Sequence, residues 1–220
     1  KLKVGVDLGT AYIVIVVLDE DNNPVACEKQ FAQVVKDGVL VDYGGACRIL
    51  RELKKKLEDR LGVELTAAGF DVVNVLDEPT AANAIYGITD GVVVDIGGGT
   101  TGLAIFRDGK VVEVDDEPTG GTHLSLVLAG SYGIPFEDAE KIKTDYSRHR
   151  EILPIVKPVI EKMATIVKKY TSRYNIDTIY LCGGTCCLTG MEKVFEDTVG
   201  IKTIEPADPF LVTPTGIAMN

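Results

Sequence analysis

One stretch, Gly91 to Phe106 (G-V-V-V-D-I-G-G-G-T-T-G-L-A-I-F), constrains this chain more than any other. Val92, Val93 and Val94 are a β-branched run that predicts a buried strand, and Leu103 to Phe106 predict a second. Asp95, three glycines and two threonines lie between them. Glycine costs backbone entropy on folding, so Gly97, Gly98 and Gly99 in succession point to backbone that must approach something closely. Successive N–H groups in such a turn form a concavity for anions, and phosphate suits it. A carboxylate beside a phosphate repels it unless a cation intervenes, so Asp95 points to Mg²⁺. A hairpin with a loose tip is the plainer account of the glycines taken alone.

The device occurs twice. Val4 to Val6 lead into Asp7-Leu8-Gly9-Thr10 and a second apolar run, Tyr12 to Leu18. Aligned on Asp7 and Asp95, both stretches read strand, D-[LI]-G, a threonine-bearing turn, strand, polar turn and third strand. The polar turns are Asp19 to Asn23 and Arg107 to Lys110, and the third strands begin near Val25 and Val111. A repeated unit predicts two related halves. If the halves face each other, their two aspartates serve one triphosphate and one metal.

With 220 residues, the chain has length for one large domain or two small ones. A net charge of −10 argues against nucleic acid as a partner. The longest apolar run, Ala11 to Leu18, is too short to span a bilayer, so no membrane role is expected. Lys1-Leu2-Lys3 leads straight into a strand, so no signal peptide is expected. Five cysteines, irregularly spaced, fit a reducing cytosol. Cys182, Cys186 and Cys187 lack a second ligand pair for zinc and read as small residues of a strand and turn.

Phe31 to Tyr43 reads as a loop with a short strand. Ala46 to Leu61 is an amphipathic helix, apolar at Ile49, Leu50, Leu53, Leu57 and Leu61, and Gly62 stops it. Ala67-Ala68-Gly69-Phe70 reads as the end of a helix with no body before it. A strand, loop and helix of roughly 20–30 residues are therefore expected to be missing near 65–67. Val72 to Leu76 reads as a strand, and Asp77-Glu78-Pro79-Thr80 opens a helix through Tyr86, closed by Gly87. Pro118 to Thr122 opens the next helix, with His123 as a capping or packing residue. His149, among Arg148, Arg150 and Lys143, reads as solvent-facing. Pro135 to Lys143 is a short helix. Ile155, Val159, Met163, Ile166 or Val167, and Tyr170 mark a long helix with Pro154 and Pro158 at its start. Ile176 to Cys182 is a strand ending in Gly183-Gly184-Thr185, a place where an adenine ring could lie on backbone. Met191 to Val199 is a helix, and a last one begins at Thr213-Pro214.

Taken together, the motifs resemble the actin-like ATPase superfamily, which also holds DnaK-type chaperones and sugar kinases. D-L-G-T at Asp7 to Thr10 is similar to the first phosphate loop, and V-V-D-I-G-G-G-T-T at Val93 to Thr101 to the second. E-P-T-A-A-N-A-I-Y-G at Glu78 to Gly87 resembles the first connecting helix, in its DnaK-like form. C-G-G-T at Cys182 to Thr185 resembles the adenosine loop, and T-G-I-A at Thr215 to Ala218 the second connecting helix. The compact layout, with T-G-G-T-H-L-S-L-V-L-A-G and V-K-P-V-I-E-K-M-A, is similar to the EutJ family of ethanolamine utilisation, described as chaperone-like and encoded with bacterial microcompartment systems.

The resemblance implies an α/β fold of two related lobes, each a mixed sheet with helices, and ATP or ADP with Mg²⁺ in the cleft between them. The first lobe is expected at 1–88 plus 207–220, the second at 89–206. By the family pattern, Asp7 and Asp95 hold Mg²⁺ through waters. The turns Gly9, Thr10, Ala11, Tyr12 and Gly97, Gly98, Gly99, Thr100, Thr101 hold the phosphates. Glu78 orients the attacking water. Gly120, Gly121, Gly183, Gly184 and Thr185 frame ribose and adenine. Hinge motion couples nucleotide to a protein client, an ethanolamine-degrading enzyme or microcompartment component, in the cytoplasm or at the microcompartment. There are departures. Gly102 stands where many relatives have a second acid, no equivalent of the chaperones' catalytic lysine is identifiable, and nothing up to Asn220 resembles a peptide-binding domain. The readings are a slow ATPase or nucleotide switch, a filament-forming structural protein, a small-molecule kinase, or a binding module that has lost hydrolysis.

Overall fold

A computed structural model describes residues 2–36, 39–65 and 75–220. The chain divides into two compact units, one of Lys1–Gly87 with Leu211–Asn220 and one of Ile88–Phe210. The expected gap near 65–67 lies, beyond Leu65, outside the described residues, as does most of the strand expected at Val72–Leu76. Its last two residues, Val75 and Leu76, are irregular.

The first unit opens with an antiparallel meander of β1 (Lys3–Leu8), β2 (Tyr12–Leu18) and β3 (Pro24–Phe31). A two-stranded ribbon follows, β4 (Val35–Lys36) and β5 (Val39–Leu40). Helix α1 (Tyr43–Leu61) starts three residues before the predicted Ala46, because the Asp42 side chain accepts the Gly45 amide at 2.8 Å as an N-cap. Gly62 ends it in the left-handed conformation expected of a helix stop. One face of the meander, with Ile13, Ile15 and Val17 fully buried, packs on Ala46, Ile49, Leu53 and Leu57 of α1. Helix α2 (Glu78–Tyr86) is capped by Asp77, which accepts from the Thr80 amide at 3.0 Å.

The meander recurs in the second unit with its register preserved. β6 (Gly91–Ile96), β7 (Thr101–Arg107) and β8 (Lys110–Glu117) pair so that Asp95 lies opposite Gly102, as Asp7 lies opposite Val14. Even the bulges correspond, between Val17 and Leu18 in one copy and between Ile105 and Phe106 in the other. Here the sheet is larger and mixed. β9 (Thr178–Cys182) pairs parallel to β6, and β10 (Lys202–Ile204) parallel to β9, giving the order β10-β9-β6-β7-β8. The three-residue β10 is absent from the sequence reading.

Helices α3 (Gly121–Tyr132), α4 (Phe136–Thr144), α5 (His149–Thr171) and α6 (Met191–Val199) complete the second unit, and α7 (Pro209–Met219) closes the chain. Val92, Val94, Ile96, Leu103 and Ile105 of the sheet form one core with α3, α5 and α6. The α5 stripe is Ile152, Val156, Ile160, Met163 and Val167, with Ile155, Val159 and Ile166 only flanking it. Pro158 therefore sits well inside a 23-residue helix, not at its start. His149 is also not solvent-facing. It is 3% exposed and accepts the Thr189 amide on Nδ1 at 3.0 Å, while Nε2 donates to the Lys143 carbonyl at 3.0 Å. Burial holds its pKa below the usual range.

Within the first unit, α7 needs glycine at two crossings. A Cβ on Gly5 of β1 would meet the Pro214 carbonyl oxygen and the Ala218 nitrogen, and one on Gly216 would meet the Ala81 carbonyl. Gly216→Ala is expected to cost about 1–3 kcal/mol by overpacking, read as a lower denaturant midpoint. Gly130→Ala, on an exposed face of α3 with open space at the Cβ, is expected to gain roughly 0.5–1 kcal/mol from helix propensity.

Candidate functional site

Three glycine turns of the second unit gather at the carboxyl end of β6. The first, after Asp95, is closed by the Gly97 amide donating to the Thr100 carbonyl at 3.1 Å. The second, Gly120-Gly121, is joined to the first through backbone. Gly121 N–H donates to the Gly97 carbonyl at 2.9 Å and Thr122 N–H to the Gly98 carbonyl at 2.8 Å. A Cβ at Gly120 would lie 2.7 Å from backbone atoms of Gly97, Gly98 and Gly99 alike, so the contact is backbone on backbone. The third turn, after β9, runs from Gly183 into a 3-10 turn at Gly184–Cys187. Its Thr185 hydroxyl donates to the Gly97 carbonyl at 2.8 Å. A Cβ on Gly183, whose φ is +94°, would strike Asp95 Oδ1 and the Ile96 carbonyl. Asp95 is 4% exposed, on the sheet face opposite the apolar core.

Around this knot the partners are polar and specific. The buried Thr101 hydroxyl donates to the Thr119 carbonyl at 2.6 Å. His123 caps α3 as the sequence suggests, its Nδ1 accepting from the Gly120 amide at 3.2 Å. Gly184 is lined by the Phe210 ring, 2.9 Å from a would-be Cβ. Sequence reasoning missed Glu140 and Lys143. They form a largely buried ion pair at 2.6 Å, and Lys143 Nζ also donates to the Gly121 carbonyl at 3.1 Å. Ser125 of α3 donates to Glu140 Oε2 at 2.5 Å. The spacing of these charges, three residues apart on a short helix, was the available signal, masked by the ordinary dipole reading of α4.

In the first unit the Asp7 turn is built alike. Gly9 N–H donates to the Tyr12 carbonyl at 2.9 Å, matching Gly97 to Thr100, and Ala32 N–H donates to the Ala11 carbonyl at 2.9 Å. The Tyr12 ring meets Phe31 edge-on at 5.5 Å, with Lys29 Nζ 5.8 Å from its centroid. Glu78 is exposed at the first position of α2.

A mixed sheet with an antiparallel meander and glycine turns crowded at one strand end defines the actin-like ATPase fold. MreB5 of Spiroplasma citri bound to ADP has it too, at 18% identity over 100% of this chain and 95% of that one, with a TM-score of 0.73. A family model described as PilM_2, type IV pilus assembly protein PilM, matches residues 87–215. The ethanolamine utilization protein EutJ of Salmonella typhimurium is 40% identical over 238 residues, covering 99% of this chain and 85% of that protein. The crystal structure of EutJ from Carboxydothermus hydrogenoformans is 52% identical, covers 100% of this chain and 90% of that one, and has a TM-score of 0.96. The chain belongs to the EutJ family.

Beside the third turn, burial pushes the thiol of Cys186 well up and that of Cys187 up, so both stay protonated at neutral pH. Glu205, following β10, has one carboxylate oxygen buried without a hydrogen-bond partner. Burial first, and then the Glu192 carboxylate, raise its pKa to about 8. The folded pKa lies above the unfolded one, so the native state binds the proton more tightly. Its contribution to stability is full below about pH 4.5 and is lost as pH rises through 8. Glu205→Gln is expected to flatten this alkaline decline in a thermal-unfolding series from roughly pH 5 to 9. An unchanged slope would assign the decline to another group.

Proposed function

We propose that this protein binds ATP and ADP with Mg²⁺ and uses the nucleotide to change its affinity for a protein client of ethanolamine utilisation. The observation that carries the reading is the convergence of Gly97–Thr101, Gly120-Gly121 and Gly183–Thr185 on Asp95. Backbone packed this closely, without room for a Cβ at Gly120, Gly121 or Gly183, suits a ligand rich in acceptor oxygens and a flat ring. The chemistry of the donor set fits as well, a buried carboxylate beside turns of backbone N–H groups. Mg²⁺, when bound, would offset phosphate charge and lend it electrophilic character.

In this reading Asp95 and Asp7 hold the metal through water, and the turns Gly97–Thr101 and Gly9–Tyr12 hold phosphate. Glu78 orients a water, and Gly120-Gly121 and Gly183–Thr185 receive ribose and adenine. The Glu140–Lys143 pair stiffens the Gly121 turn, so the ribose side is set before ligand arrives. Turnover is expected to be slow, because Gly102 supplies no second acid at its own position. The client is a cytoplasmic enzyme or microcompartment component, in keeping with the family. Among the described residues no helix is long and apolar enough to cross a membrane.

Titration calorimetry of the protein with ATP and Mg²⁺ tests this. Binding is expected to need Mg²⁺ and to weaken at least tenfold in Asp95→Ala, about 1.4 kcal/mol or more. Gly120→Ala is expected to weaken binding similarly by displacing the Gly97–Gly99 backbone. Full affinity in both variants would refute the assignment.

A further inference from the structure

A closed circuit of hydrogen bonds holds the three glycine turns together, and one member of it is a histidine whose bonds depend on a single proton. The Gly97 carbonyl accepts from the Gly121 amide at 2.9 Å and from the Thr185 hydroxyl at 2.8 Å. From Gly121 the circuit runs outward, its carbonyl accepting from Lys143 Nζ at 3.1 Å. The Lys143 carbonyl accepts from His149 Nε2 at 3.0 Å, and His149 Nδ1 accepts from the Thr189 amide at 3.0 Å. The Leu188 amide donates to the Thr185 carbonyl at 3.2 Å, which brings the circuit back to Gly97. His149 thus joins the end of α4 to the loop before α6.

Only the neutral ring closes this circuit. A backbone amide cannot accept, so Nδ1 must offer a lone pair and Nε2 must carry the proton. The Thr189 hydroxyl also lies 3.0 Å from Nδ1. A protonated Nδ1 would donate to that hydroxyl and leave the Thr189 amide without its acceptor. The ring is 3% exposed, and Ile152 and Val156 seat its helix in the core. Asp145 acts on the ring and favours its charged form, and the Tyr146 ring lies 4.9 Å away between centroids. Arg148 is turned to Glu151, Arg150 is exposed, and the Lys143 ammonium is held by Glu140. Cys187, Glu205 and Asp208 act on Tyr146 in turn. Burial outweighs Asp145 and keeps His149 neutral.

We propose that neutral His149 is a positioning residue that holds the turn Gly183–Thr185 in register with Gly120-Gly121, so that nucleotide and a proton bind in competition. The role rests on the nucleotide reading above. Those two turns are the ones assigned there to adenine and ribose. A nucleotide lying across both favours the ring state that keeps them joined, and by reciprocity a proton on the ring weakens the nucleotide.

The test is an NMR titration of the chain's two histidines, His123 and His149, with and without ATP and Mg²⁺. His149→Gln identifies the His149 signal by its loss. Nucleotide is expected to lower the His149 pKa by about one unit, a tenfold coupling. Calorimetry reads the same linkage from the other side. The ATP affinity of the wild type relative to His149→Gln is expected to be constant above about pH 7 and to fall with acid toward a tenfold limit. Gln keeps an acceptor and a donor but does not titrate, and the ligand's own protonation is common to both chains, so the ratio reads the ring alone. A His149 pKa that nucleotide leaves unchanged overturns the proposal and leaves the nucleotide reading standing. So does a ratio that stays flat with pH, even where the variant has a lower thermal midpoint. Wild-type protein that binds no ATP at any pH overturns both readings.

Discussion

The second unit depends on one contact, the backbone of Gly120 lying against the backbone of Gly97, Gly98 and Gly99. The two turns can approach this closely only because Gly120 carries no Cβ. The close approach lets the first two amides of α3 donate to the loop carbonyls, which fixes the start of that helix relative to β6. Once α3 is fixed, its Leu124 and Leu128 fill the core against the sheet, and its Ser125 meets Glu140 of α4. Thr185 then ties the β9 turn to the same carbonyl that Gly121 uses. Fold and candidate site share this contact, so a side chain at Gly120 would disturb both.

What was legible in the sequence was local. The D-[LI]-G turn and the alternation around it identify both meanders, because strand, turn and strand are neighbours along the chain. The end of α1 at Gly62 and the bounds of α2 at Asp77 and Gly87 follow for the same reason, whereas the start of α1 at its Asp42 cap was missed. The β10 strand was not legible. It has three residues, and what makes it a strand is parallel pairing with β9 across the whole of α6. His149 looked solvent-facing because its sequence neighbours are charged, while the groups that bury it come from Thr189 and Lys143.

The candidate site divides along the same line. Glycines announced the turns one by one, and glycine is informative because so few reasons exist for three in a row. Their mutual contact, the Lys143 bond to the Gly121 carbonyl and the opposition of Asp116 to Gly102 are all tertiary facts. A residue that reads as a missing acid along the strand is, across the strand, the gap beside which another acid stands. The family assignment is shown by identity over nearly the whole chain.

The pairing of Gly5 and Gly216 with backbone from the far end of the unit has a consequence for synthesis. The first unit is begun by Lys1–Gly87 but includes Leu211–Asn220, which leave the ribosome only after all of Ile88–Phe210. At about 5–20 residues per second, the early segment waits many seconds for the helix that covers Gly5. The second unit is continuous and can form its core during that wait. The second unit can thus complete its core before the first, and Lys1–Gly87 stays without its covering helix until Leu211–Asn220 are made.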